Sequence, residues 1–107
     1  MRFASVVITQ KFADSVEEIV AEAATRSPSR AQLIDDEVDT RVSSLDQNAR
    51  RGRKLPELDD DLIRELLIVK QDFRLIYRLN ENLNLVELLL LWPTRRPLRL
   101  VDVLDAE

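Results

Sequence analysis

Arginine is the residue of this chain best suited to meet an anion, and it recurs at strand spacing. In the run from Phe73 to Leu79 the side chains alternate between two faces. Phe73, Leu75, Tyr77 and Leu79 share one face; Arg74, Ile76 and Arg78 share the other. At ~3.3 Å per residue, Arg74 and Arg78 leave that strand roughly 13 Å apart. Arg64 precedes them in an earlier strand-like run, and Arg95 and Arg96 follow Trp92 at the end of a later one. A sheet displaying two cations suits contact with an anionic or protein partner better than it suits bond breaking. The chain has no histidine and no cysteine. Their absence excludes Ser-His and Cys-His triads, the usual zinc sites, disulfides and imidazole acid–base catalysis. An enzyme built from this chain would rely on carboxylates, lysine, arginine or its one tyrosine, Tyr77. Alternation places Tyr77 on the apolar face, where a buried structural role is expected. No catalytic residue, metal ligand or cofactor is assigned.

Two further charge clusters stand out. Arg50-Arg51-Gly52-Arg53-Lys54 puts four cations in five positions around the only glycine. It reads as a solubilising loop or as a contact for phosphate or an acidic partner. Asp59-Asp60-Asp61 supplies three carboxylates, but adjacent side chains diverge and no second cluster supports a Mg²⁺ site. They are assigned to the loop and the entry of the next strand.

The elements that must position these residues follow from periodicity. Phe3 to Ile8 is rich in β-branched residues and predicts a strand. Thr9 has the character of a helix N-cap. Phe12, Val16, Ile19, Val20 and Ala23 then recur at helical spacing, with Asp14, Glu17, Glu18 and Glu22 elsewhere on the wheel. Ser27-Pro28-Ser29 ends that helix; Pro28 suits the first turn of another, and Ser29 with Gln32 fits a capping box. Ala31, Ile34, Val38, Val42 and Leu45 form its stripe, so a helical hairpin is expected. Residues 46–61 read as a loop. Leu62 to Val69, Phe73 to Leu79 and Leu83 to Trp92 read as three strands. The first of these alternates too poorly for its faces to be assigned, and the last is apolar on nearly both faces. Pro93 ends it, leaving a tail that is either a short strand or irregular.

The fold class expected is α+β: an N-terminal strand, an antiparallel helical hairpin, then a three- to four-stranded antiparallel meander, in one domain over 1–107. With 107 residues, 45% apolar and 34% charged, the chain is a globular type rather than a disordered one. The net charge of -4 lies entirely in residues 1–49, which carry five cations against nine acids; residues 50–107 carry eleven of each. An acidic chain is a poor non-specific nucleic-acid binder, so no direct sequence-specific nucleic-acid binding is expected. There is no secretory signal and no apolar run long enough to span a bilayer, so a cytoplasmic protein without membrane contact is expected.

The sequence resembles the RelE/ParE superfamily of type II toxin–antitoxin toxins, from about Val6 to Arg96. The resemblance is carried by Thr9 and Ala13, Arg30-Ala31, Leu45, Gly52-Arg53, Pro56, Arg64-Glu65-Leu66, Phe73-Arg74-Leu75-Ile76-Tyr77-Arg78 and Arg95-Arg96 in this order. It implies a toxin neutralised by a cognate antitoxin whose C-terminal segment wraps it. RelE-like members cleave messenger RNA in the ribosome; ParE-like members inhibit DNA gyrase by protein–protein contact and serve plasmid stabilisation. No tyrosine or histidine follows Tyr77, so the usual C-terminal acid–base position is empty, and the long helical hairpin is more ParE-like. The resemblance therefore implies a ParE-like gyrase inhibitor. A ribosome-dependent endoribonuclease and a non-toxic diverged member are the alternatives. It also implies the C-terminal strand region, with Arg95, Arg96 and Trp92, as the target contact. Arg74, Arg78 and Arg64 are expected to bind antitoxin carboxylates, for which the guanidinium fork is suited.

Overall fold

The computed structural model describes residue 3 and residues 5–104. Thr9 shows how the chain begins to organise. Its hydroxyl accepts from the Phe12 N–H at 3.1 Å, capping a helix, and donates to the Leu88 carbonyl at 2.7 Å, pinning that cap to a strand. Strand β1 (Ser5–Ile8) thus leads directly into α1 (Gln10–Ala24). Helix α2 (Pro28–Ser44) begins with Pro28 in its first turn, but its N-cap is Ser27, which accepts from the Arg30 N–H at 3.2 Å. Ser29 was the expected cap. Ser27 takes the role because it is the residue with extended backbone immediately before the proline.

After a single 3₁₀ turn at Ala49–Arg51 come β2 (Arg53–Lys54), β3 (Ile63–Ile68), β4 (Phe73–Asn80), β5 (Leu85–Pro93) and α3 (Leu100–Leu104). The sheet order is β1-β5-β4-β3-β2, with β1 parallel to β5 and the remaining pairs antiparallel. The expected meander is present as β3-β4-β5, extended at one edge by the two-residue β2 within the loop. The expected first strand is described from Ser5; Phe3 is buried, and its N–H donates to the Asp46 carbonyl. The tail is a short helix, neither of the forms expected of it.

The alternation of β4 holds. Leu75, Tyr77 and Leu79 join Phe12, Ile34, Val38 and Leu45 of the helical layer and its exit in the main core. The opposite face is covered as well. Ile76 packs there with Leu55, Ile63, Leu89, Leu90 and Val103 in a second core, flanked by Leu58, Trp92 and Leu98. A bulge produces this arrangement. Ile76 pairs with Leu90 and Tyr77 with Leu88, leaving Leu89 without an opposite number. Leu89 and Leu90 therefore both turn to the second core, while Leu88 and Leu91 serve the first. That is why β5 is apolar on both faces. It also corrects the expectation of an arginine-bearing face left open: the loop after β2 and the α3 tail close over it.

Candidate functional site

Arg74 lies on the predicted face but is not displayed. It is only 6% exposed. Its Nε donates to Glu65 Oε1 at 2.5 Å, and its Nη1 and Nη2 take both oxygens of Glu57 at 2.8 and 2.6 Å. Glu65, 1% exposed, receives a second cation from Arg53 Nε at 2.6 Å. The arrangement is a closed line of alternating charge, Arg53–Glu65–Arg74–Glu57. The Arg74 fork holds the Glu57 carboxyl below the ordinary carboxylate range, and Glu57 in turn raises Arg74. The expectation of a free cation at Arg74 is corrected. A guanidinium on a face that becomes a second core must carry its counter-charges with it, and this one does.

Arg78 is half-buried, with Nε and Nη2 at 3.1 and 2.9 Å from one oxygen of Glu87, which Asn80 also approaches at 3.2 Å. Arg64 pairs across the ladder with Tyr77, on the helix side of the sheet. It spends its donors on backbone carbonyls: Asp61 at 3.0 Å, Arg50 at 3.2 Å and Gly52 at 3.0 Å. Tyr77 is fully buried, and its hydroxyl accepts from the Gly52 N–H at 3.0 Å and donates to the Ala49 carbonyl. Burial pushes the phenol up from its ordinary value. A Cβ at Gly52 would overlap the Tyr77 hydroxyl and lie 2.8 Å from the Glu65 carbonyl, so the chain needs its one glycine here for close approach. Tyr77, Gly52 and Arg64 together fix the basic loop to the sheet.

The other sequence clusters resolve similarly. Lys54 binds Asp59 at 2.6 Å and Asp61 at 3.6 Å, while Asp60 accepts from the Leu62 N–H at 2.9 Å. Arg50 pairs with Glu81 at 2.6 Å. Among the described residues no group of carboxylates is arranged to hold a metal ion.

At the end of β5, Trp92 is partly buried against the second core, and its indole N–H donates to the Arg96 carbonyl at 2.9 Å. The Arg96 guanidinium sits over the indole ring, 5.1 Å from its centroid. Arg95 is exposed and has no ion pair among the described residues. The structure thus brings Trp92, Arg95 and Arg96 together at one corner; Arg74 lies opposite Trp92 in the ladder but, like Arg64 and Arg78, has its donors engaged within the sheet.

The sequence reading missed a groove between α1 and α2. Its volume is about 490 Å³, and its walls are Ile8, Phe12, Val16, Val20, Val38 and Val42. Carboxylates of Glu17, Asp35 and Asp39 stand at its rim. The signal was present: both helices carry apolar stripes wide enough to leave residues over once the sheet is covered. Glu57 and Glu65 were also missed as partners of Arg74. With the faces of β3 unassigned, nothing in the sequence placed Glu65 beside it.

The family model for the ParE toxin of type II toxin–antitoxin systems (parDE) matches residues 6–98. The chain belongs to the ParE toxin family. It is the toxin type of a toxin–antitoxin pair, and an antitoxin is its partner. Among solved structures it is similar to the chromosomal ParDE toxin–antitoxin system from P. aeruginosa. That match has 20% identity and a TM-score of 0.69, over 85% of this chain and 96% of the other. It is also similar to a mutant of the E. coli toxin RelE in the free state, at 9% identity and a TM-score of 0.59, over 89% of this chain and 86% of the other. At these identities the likeness is one of fold. No curated protein matches the chain. Among the described residues no helix of this ParE-family toxin is long and apolar enough to cross a membrane.

Proposed function

We propose that this chain inhibits DNA gyrase by protein–protein contact through the corner of Trp92, Arg95 and Arg96, and that a cognate antitoxin neutralises it in the cytoplasm. The observation that carries this reading is the division of the arginines. Those inside the sheet are bound to carboxylates or carbonyls, while Arg95 is presented without a counter-charge beside an aromatic platform. Cleaving RNA needs a base for the 2′-hydroxyl and a stabiliser for the phosphorane. Tyr77, the only tyrosine, is sealed between Ala49 and Gly52 and serves neither purpose.

The antitoxin has two kinds of surface to use. An apolar segment with cations at its flanks suits the α1–α2 groove with its acidic rim. Carboxylates of the antitoxin would engage Arg78 and Arg64 at the partly open margin of the sheet. Arg74 joins that contact only by exchanging Glu57 for a carboxylate of the partner.

The test is expression of the wild type and of Arg95→Ala/Arg96→Ala with labelled precursors for DNA and protein. The wild type is expected to induce the DNA-damage response and filamentation, and the double variant to lose this while melting like the wild type. Prompt loss of translation with intact DNA synthesis would establish the ribosome as target instead. Unchanged growth would mark a non-toxic member. Full toxicity in a folded double variant would remove the corner from the target contact.

A further inference from the structure

Three successive residues, Val69 (φ 53°), Lys70 (φ 52°) and Gln71 (φ 69°), take the left-handed backbone conformation in the turn between β3 and β4. None is glycine or asparagine, and Val69 is both β-branched and buried. Such geometry persists where its surroundings over-determine it, and it gathers at binding sites. Here the turn is clamped from two sides. Thr94 donates its hydroxyl to the Gln71 carbonyl at 2.6 Å and its N–H to the Asp72 carbonyl at 2.9 Å. From α2, Arg30 holds Asp72 at 2.7 Å, and the Glu37 carboxylate accepts from the Val69 N–H. The clamps tie the segment that carries Lys70 to the segment that carries Arg95, each residue being next in sequence to a member of the bonded Gln71–Thr94 pair.

The charge gathered there is uncommitted. Among the described residues eight arginines and lysines pair with a carboxylate. Lys70 and Arg95 do not, as Lys11, Arg41, Arg51 and Arg64 elsewhere do not, and Arg96 rests on Trp92; what distinguishes Lys70, Arg95 and Arg96 is that the clamped turn ties their segments together. Lys70, Arg95 and Arg96 are all exposed. We propose that the β3–β4 turn is part of the target contact, with Lys70 as a third cation beside Arg95 and Arg96, and that the matching surface of the target protein carries carboxylates. This rests on the toxin reading above. A protein surface fits better than a nucleic acid: the molecule is net acidic, and three cations neutralise too few phosphates to hold a duplex against that charge.

The experiment compares the full-length wild type with Lys70→Glu, Lys70→Gln and Lys70→Arg. It measures growth arrest after induction, inhibition of purified DNA gyrase, retention of a fluorescein-labelled DNA duplex, and melting temperature. Lys70→Glu is expected to need about tenfold more protein, or beyond, for the same arrest and inhibition, because like charge at an interface is rejected. Lys70→Gln should fall between, Lys70→Arg should match the wild type, and the melts should coincide. Added salt should shrink the difference. A folded Lys70→Glu with undiminished growth arrest would overturn the proposal. If the wild type arrests growth yet leaves gyrase untouched, the gyrase reading fails alone, and the growth series still decides the role of Lys70. Duplex retention that Lys70→Glu abolishes would overturn the protein partner in favour of nucleic acid. A wild type without effect on growth would overturn this proposal together with the toxic reading.

Discussion

Arg74 shows how little a residue's type says about its exposure. Its alternation with Phe73 and Leu75 placed it on the correct face, and the chemistry of arginine suggested a partner outside the molecule. Its actual partners are Glu65, three strand positions along β3, and Glu57 in the loop before it. Nothing local in the sequence selects those two from the chain's twenty acids. Tyr77 was legible because it shares the apolar strand face of Phe73, Leu75 and Leu79 and is expected inside; its bond to Gly52 was not, because it spans 25 residues. Removing one partner of a buried pair strands the other. Arg74→Met should therefore destabilise the fold by about 3 kcal/mol or somewhat more, with Glu65 left only its half-exposed Arg53 partner. Adding Glu65→Leu should recover most of the loss, as urea unfolding of the two variants would show. Little loss in the single variant would mean that the network contributes nothing to stability. Glu57 makes a prediction about pH. Its carboxyl is lowered in the folded state by Arg74, so its contribution is present above the ordinary value of 4.5 and is lost as pH falls through the lower folded value. Glu57→Gln should flatten that part of the acid limb of unfolding midpoint against pH. An acid limb identical to the wild type would show that the ion pair is absent in solution.

At the scale of elements the sequence was most informative where the apolar period was long. Both helices and β4 were readable by face, because four or five apolar residues at a fixed spacing define one; β3 and β5 were readable as strands but not by face. The short elements were not. β2 has two residues and exists because Arg53 and Lys54 find Glu65 and Arg64 across the ladder. α3 has five, and it forms where Val103 reaches the second core. A period cannot be recognised in so few residues. The bulge at Leu89 was also hidden, since a run of leucines reads the same with or without one extra residue. The turn after β3 gives a test at this scale. Gln71 contributes only its backbone carbonyl to the clamp, and its left-handed backbone is strained by about 1 to 3 kcal/mol. Gln71→Gly relieves that strain at an entropic cost of roughly 0.5 to 1 kcal/mol. The variant should melt at or above the wild-type temperature, by up to about 2 kcal/mol in stability. A clear fall in melting temperature would mean that the turn is not left-handed at Gln71.

The molecule as a whole divides its charge. Carboxylates stand along the helical hairpin and around its apolar groove, whereas Lys70, Arg95 and Arg96, none in an ion pair among the described residues, lie where β5 ends and the β3–β4 turn is tied to it. The net charge of -4 hides this division, and composition alone could say only that the second half is balanced. Two partners of opposite character can therefore be bound at separate places: a segment with cations on the hairpin side, an acidic protein surface on the other. Contacts of the second kind act mainly on association, so inhibition should weaken as ionic strength rises. The most direct measurement of the central claim is a supercoiling and cleavage assay with purified gyrase, plasmid DNA and ATP. The account predicts that the wild-type chain slows supercoiling and accumulates cleaved plasmid, and that Arg95→Ala/Arg96→Ala does neither. Normal supercoiling in the presence of excess folded wild-type chain, with no cleaved plasmid, would contradict it.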